Sequence, residues 1–157
     1  MAQHPVTVIG IGNAYRSDDA VGLYVAGQVR SHALKGVIVV DGIGDGYALI
    51  DAWSDSDRVF VIDCASSGAP PGTTFRFDAL REAIPSDLFS RLSTHSIAVN
   101  DAIELARVLN RLPRGLVVYG IEAENLSTGS ELTPVVQDSA HRVAKSIVEE
   151  IQALSNP

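Results

Sequence analysis

Apolar residues follow two rhythms along this chain. Val6-Thr-Val-Ile-Gly10 is a short, nearly continuous apolar run, the pattern of a strand buried on both faces. Glycines and Asn13 then predict a turn, and Ser17 or Asp18 can cap the helix that follows. In that helix Val21, Val25 and Val29 form an apolar stripe, with Leu23 and Tyr24 beside it. Val37-Ile-Val-Val-Asp41 predicts a second buried strand, ending in aspartate and glycine. Tyr47, Leu49 and Ile50 fit a short second helix, and Arg58-Val-Phe-Val-Ile-Asp63 a third strand.

The prolines and glycines of Ala65-Ser-Ser-Gly-Ala-Pro-Pro-Gly72 predict a loop. Thr73-Thr-Phe-Arg-Phe77 alternates polar and apolar residues, as an antiparallel edge strand would. A looser segment through Pro85 and Phe89 leads to Ser93-Thr-His95. Ile97, Ala102, Leu105, Ala106 and Leu109 recur at helical spacing, and Leu116-Val-Val-Tyr119 reads as a fifth strand. Thr133 and Pro134 have the form of an N-cap and first-turn proline, opening a last helix through Val136, Ala140, Val143, Ile147 and Ile151. Strands alternating with helices imply an α/β fold, a mostly parallel sheet covered on both faces. No internal repeat or low-complexity linker divides the chain, and its 157 residues suit a single domain spanning 1–157.

Composition narrows the partners. A hydrophobic share of 46% is ordinary for a packed core, and the formal charge of −7 disfavours nucleic acid. An acidic surface suits a cation or a basic peptide instead. The one cysteine, Cys64, excludes an internal disulfide and a cysteine-rich zinc site. The first apolar stretch lacks a basic leader and ends at Gly10, so no signal peptide is expected. No run reaches the roughly 18 apolar residues of a membrane span, so membrane insertion is not expected and a cytoplasmic location is. Without a long exposed apolar helix face, a monomer is the default.

The chemistry gathers at strand ends. In open α/β sheets, ligands bind outside the carboxyl ends of the strands. Asp41 and Asp63 close two predicted strands, Asp19 stands just beyond the first, and His95 precedes a helix. All four can share one rim, where two carboxylates and an imidazole would suit a metal. Each also has an ordinary role. Asp19 can favour a helix N-terminus, a role that Asp18 fits better. Asp41 and Asp63 can close turns, and His95 can be a loop histidine. Other chemistries fail on sequence. Gly10-Ile-Gly12 lacks the third glycine of a dinucleotide loop, since position 15 is Tyr15, and two aspartates stand where a pyrophosphate would lie. There is neither a Gly-Lys-Ser/Thr phosphate loop nor a Gly-x-Ser-x-Gly elbow. Cys64 beside Asp63 reads as a small buried hydrophobe, with a ligand role left open.

Taken together, Gly10-Ile-Gly-Asn with Asp18-Asp19 and Gly22, Asp41-Gly42, Val61-Ile-Asp63 and Ser93-Thr-His95 followed by Asn100 are more specific than their parts. In this order they resemble the hydrogenase maturation proteases, over nearly the whole chain, with Gly120, Thr133 and Pro134 as later landmarks. The resemblance implies a three-layer α/β/α sandwich around a twisted five-stranded sheet. It implies an endopeptidase that removes a C-terminal extension from a nickel-loaded hydrogenase large-subunit precursor. It further implies Asp19, Asp63 and His95 as metal ligands, and Asp41 as a supporting or catalytic carboxylate. Nickel would then arrive with the substrate, with no permanently bound cofactor. A resident zinc is the rival, although two carboxylates and one histidine hold zinc less well than a histidine-rich centre. Three departures stand out: Ile43 where a second glycine often follows Asp41-Gly42, Cys64 after the third-strand aspartate, and Ala20 after the acidic pair. The alternative is a non-catalytic assembly factor or metallochaperone that binds the precursor without cutting it.

Overall fold

Strands and helices alternate in the computed structural model, which describes residues 5–43, 46–54, 56–89 and 99–154. They are β1 (Val6–Gly10), α1 (Val21–Ser31), β2 (Val37–Asp41), α2 (Gly46–Trp53), β3 (Arg58–Ala65), β4 (Thr74–Asp78), α3 (Val99–Val108), β5 (Gly115–Glu122) and α4 (Pro134–Leu154). A turn of 3-10 helix, Ser17–Ala20, leads directly into α1. The sheet order is β2-β1-β3-β5-β4. Four strands run parallel, and β4 pairs antiparallel to β5 at one edge, as its alternating pattern predicts.

Residue alternation sorts the side chains into two cores. Val8 of β1, Phe60 and Ile62 of β3 and Ile121 of β5 pack against Val21, Val25 and Val29 of α1 and Val143 and Ile147 of α4. Their neighbours Ile9, Val59, Val61 and Val118 pack on the opposite face, with Leu49, Ile50 and Trp53 of α2 and Ile103 of α3. The result is the expected three-layer α/β/α sandwich. Both faces of β1 and β3 are covered, so their sequences are apolar at nearly every position. Among the described residues no helix is long and apolar enough to cross a membrane.

Two expectations are corrected. Val37–Asp41 is not a fully buried strand: β2 forms the other edge of the sheet, and Ile38 is 56% exposed. Its apolar run belongs to a parallel strand, whose composition does not disclose that it has one neighbour instead of two. Leu109 does not continue the α3 stripe either. The helix ends at Val108, the chain turns through Asn110 at φ 56°, and Leu109 faces outward. Ile97, counted with the same stripe, lies outside the described residues.

The chain leaves β1 toward β2 on one side, then returns past β1 to lay down β3 on the other. The reversal leaves a crevice between the carboxyl ends of β1 and β3, the switch point where open α/β sheets bind ligands. Away from this crevice, Glu150 of α4 accepts hydrogen bonds from Arg76 of β4 and from the Tyr119 hydroxyl of β5. Burial alone would raise the Glu150 carboxyl, but Arg76 and Tyr119 outweigh it and hold it below the usual glutamate range. This stabilisation is therefore present above about pH 4.3, where an unfolded glutamate ionises, and is lost as pH falls through the lower folded value. Glu150→Gln is expected to melt a few degrees below wild type at pH 7, with the gap narrowing as pH falls below about 4.3, in paired thermal scans.

Candidate active site

Glycines bring the first loop onto the third strand. A side-chain carbon at Gly22 would stand 2.2 Å from the Ile11 carbonyl oxygen and 2.4 Å from that of Ile62. One at Gly10 would stand 2.2 Å from the Gly22 carbonyl. Neither position has room for anything larger than hydrogen. The Ile11 N–H also donates to the Ile62 carbonyl at 2.9 Å, extending the β1–β3 pairing past the strand end. The start of α1 is thus pressed into the switch point, and the 3-10 turn that carries Asp19 lies against β3.

There the charge of Asp19 is close enough to act on Asp63. Asp63 lies one step beyond the level of Gly10, shortly before β3 ends at Ala65, and pairs with Gly120 of β5. Its Oδ1 accepts the Cys64 N–H at 2.7 Å. Burial pushes its carboxyl up to about 8; the Cys64 hydrogen bond opposes this, and the neighbouring Asp19 charge adds to it. Asp19, 8% exposed, is also raised by burial, against the Arg16 guanidinium at 3.8 Å and the Asn13 backbone. The hard oxygens of these two neighbouring carboxylates suit a divalent metal. Among the described residues they find no third histidine, cysteine or carboxylate to complete a metal-binding group. The predicted third ligand, His95, lies outside the described residues, as do Ser93 and Thr94.

The other acidic residues take separate places. Asp41 is level with Gly10 and Ile62, two strands across from β3, with its side chain 44% exposed and ion-paired to Arg30 of α1 at 3.3 Å. Asp18 does not cap α1. It is fully buried and accepts hydrogen bonds from the loop that leads into α4. The Thr133 hydroxyl, expected to cap α4, bonds this Asp18 carboxylate, while Pro134 does open the helix. Glu122, 4% exposed at the end of β5, takes the Ser67 N–H at 3.0 Å and its hydroxyl at 2.6 Å, fastening the loop after β3. The acidic pair Asp18-Asp19 hinted at one of these anchors. Nothing in the sequence around Glu122 distinguishes it from an ordinary surface glutamate. Cys64 is fully buried in the core on the α1 side, and burial with the surrounding carboxylates pushes its thiol far up. It is a packing residue in this setting.

An open cavity of about 580 Å³ flanks the Asp19 turn, lined by Ala14, Ala20, Leu23, Tyr24, Glu131 and Leu132 among others. A second, of about 520 Å³, lies between residues 79–86 and α3.

Fold and rim define a doubly wound α/β protein with paired acidic side chains at its switch point. The family model described as HycI, hydrogenase maturation protease, matches residues 24–150. The chain is 30% identical to the hydrogenase expression/formation protein HupD of Bradyrhizobium diazoefficiens, over 96% of this chain and 78% of that one. It is 27% identical to HupD of Thiocapsa roseopersicina over 85% of its length, a match that spans 61% of the relative. The hydrogenase maturating endopeptidase HybD from E. coli superposes with a TM-score of 0.80 at 21% identity, covering 95% and 93% of the two chains, which speaks for the fold. The chain belongs to the hydrogenase maturation protease family.

Two outcomes test the site's geometry and electrostatics. Gly22→Ala forces a methyl group into backbone oxygens and is expected to cost about 1–3 kcal/mol, seen as a lower midpoint in urea unfolding. The raised Asp63 carboxyl binds its proton more tightly folded than unfolded, where aspartate titrates near 3.9, so stability drains as pH climbs from about 4 to about 8. Asp63→Asn keeps the acceptor for Cys64 and removes the charge. In metal-free buffer it is expected to melt above wild type at pH 8, with the gain vanishing near pH 4.

Proposed function

We propose that this protein is an endopeptidase that trims the C-terminal extension from the large-subunit precursor of a nickel–iron hydrogenase, after nickel has been inserted. The observation that carries this reading is the convergence of Asp19 and Asp63 at the switch point between β1 and β3. Family membership supplies the reaction class, and the acidic pair supplies a seat for a cation.

In this reading nickel is part of the substrate. Asp19 and Asp63, with His95, contact the nickel that the precursor carries and so hold the adjoining peptide at the rim. Carboxylate and imidazole suit that ion while leaving positions for substrate groups. Bound there, nickel supplies polarisation of the scissile carbonyl or a more acidic water. The exposed Asp41 is an accessible carboxylate on the same rim and serves as general base once its pair with Arg30 opens. Burial, with the closeness of Asp19 to Asp63, disfavours keeping both charges bare and makes the pair receptive to a cation. This fits a resting enzyme that takes its metal from the substrate. The protein acts as a monomer in the cytoplasm, where the precursor is assembled.

The reading is tested on purified nickel-loaded precursor, followed by the mobility shift of the trimmed product. His95→Ala and Asp63→Asn are expected to slow processing at least about 100-fold, the scale of losing a metal contact or its orientation. Near-normal trimming by either variant would sink the triad. Tight binding of the precursor by wild-type protein with no cleavage would assign it instead to assembly or metal delivery. Stoichiometric zinc that survives chelation would replace substrate nickel by a resident metal.

A further inference from the structure

We propose that Asp18 is a positioning residue for the reaction, clamping the turn that carries Asp19 to the loop that leads into α4. The inference rests on the proposed function, since it gives Asp18 a part in that chemistry.

Asp18 is 0% exposed, and both of its oxygens are occupied. Oδ2 accepts the N–H groups of Glu124 and Asn125, each at 2.9 Å, and Oδ1 accepts the Thr133 N–H at 2.8 Å. The Thr133 hydroxyl lies 3.1 Å from Oδ1 and 2.9 Å from Oδ2. A carboxylate offers about four lone-pair positions, so this set leaves none for a metal. A buried aspartate with such partners is held in place by short, charge-assisted bonds. None of them goes to α1, whose N-cap position is Ala20.

The backbone repeats the same attachment. The Ser17 N–H donates to the Gly129 carbonyl at 2.9 Å, the Gly129 N–H to Tyr15 at 3.0 Å and the Asp18 N–H to Asn125 at 3.0 Å. The Arg16 guanidinium reaches the Leu126 carbonyl at 3.3 Å. Between these bonds Ser17 holds φ at 47°, a left-handed conformation that a residue with a side chain keeps only where its surroundings over-determine it. Gly129 leaves it room: a side-chain carbon there would stand 2.6 Å from the Ser17 hydroxyl oxygen. The strained Ser17 turn sets the direction of the next two side chains. Asp18 is sent into the α4 loop and Asp19 toward β3, so the adjacent aspartates divide the work. One spends its charge on protein N–H groups, and the other keeps its oxygens for the substrate.

The test compares Asp18→Asn and the milder Thr133→Val, which removes only the hydroxyl, with Val143→Ala in the α4 core as a stability control. Amide exchange is read at Glu124, Asn125 and Thr133, and kcat and KM are read on nickel-loaded precursor. Both clamp variants are expected to speed exchange at those amides. Asp18→Asn is expected to lower kcat about ten-fold or more with KM nearly unchanged, because misplacing a positioned group costs rate before it costs binding. Thr133→Val should show a smaller loss of the same kind, and it carries the test alone if Asp18→Asn does not fold. Wild-type kcat in a variant whose amides exchange faster overturns the inference, as does an equal kcat loss in Val143→Ala at matched melting temperature. A wild-type protein that leaves the precursor uncut removes the proposed function, and this inference with it. An active wild type with unaffected clamp variants removes the inference only.

Discussion

The contact between α1 and the ends of β1 and β3 is the constraint on which the rest of the site depends. Gly10 and Gly22 have backbone oxygens where side-chain carbons would be. Because no side chain intervenes, the start of α1 lies directly against the backbone at the ends of β1 and β3. The 3-10 turn ahead of it is carried down with it, and Asp19 reaches Asp63. A methyl group at Gly22 would lift α1 and separate the acidic pair without touching either carboxylate. The glycines are spatial requirements imposed by the site, paired with a β1–β3 hydrogen bond that continues one residue past the ladder.

What is assembled there runs against stability. Desolvation raises both carboxyls, and the neighbouring Asp19 adds to the rise of Asp63, so the pair costs stability at neutral pH. The surroundings support the backbone without cancelling that cost. Arg16 stays 3.8 Å from Asp19, and among the described residues Asp63 receives the Cys64 N–H at Oδ1. By contrast Asp18 and Glu122, buried on the same rim, are supplied with donors from neighbouring loops. The rim therefore holds two kinds of acidic residue: anchors whose charge the protein satisfies, and a pair whose charge it leaves for a ligand.

Local pattern carried most of the fold. Doubly buried strands are apolar at consecutive positions, β4 alternates, and the α4 helix opens at Pro134, each for a reason that acts within a few residues. Pattern failed where the cause was a neighbour. The edge position of β2 depends on what lies beside it, and the end of α3 on where the chain turns at Asn110. At the site, Asp19 and Asp63 were legible because strand ends in a parallel sheet converge, a rule of topology that a sequence of alternating elements already invokes. The duty of Asp18 is not legible in sequence, because an acidic residue ahead of a helix is equally consistent with a dipole partner. Only the arrival of Glu124, Asn125 and Thr133, more than a hundred residues later in the chain, separates the two.

The sequence by itself determined the α/β alternation, the three-layer sandwich, the family and the short segments that carry its acidic residues. These follow from hydrophobic period, glycine and proline placement and the order of motifs, all encoded locally. Tertiary structure alone decided which aspartates face one another and which are absorbed by the protein. Asp18 and Asp19 are adjacent in the chain and chemically identical, yet a left-handed Ser17 and a tight helix–strand contact turn one into a clamp and the other toward Asp63. That division depends on distances of a few ångströms between segments far apart in sequence, and only the packed backbone sets them.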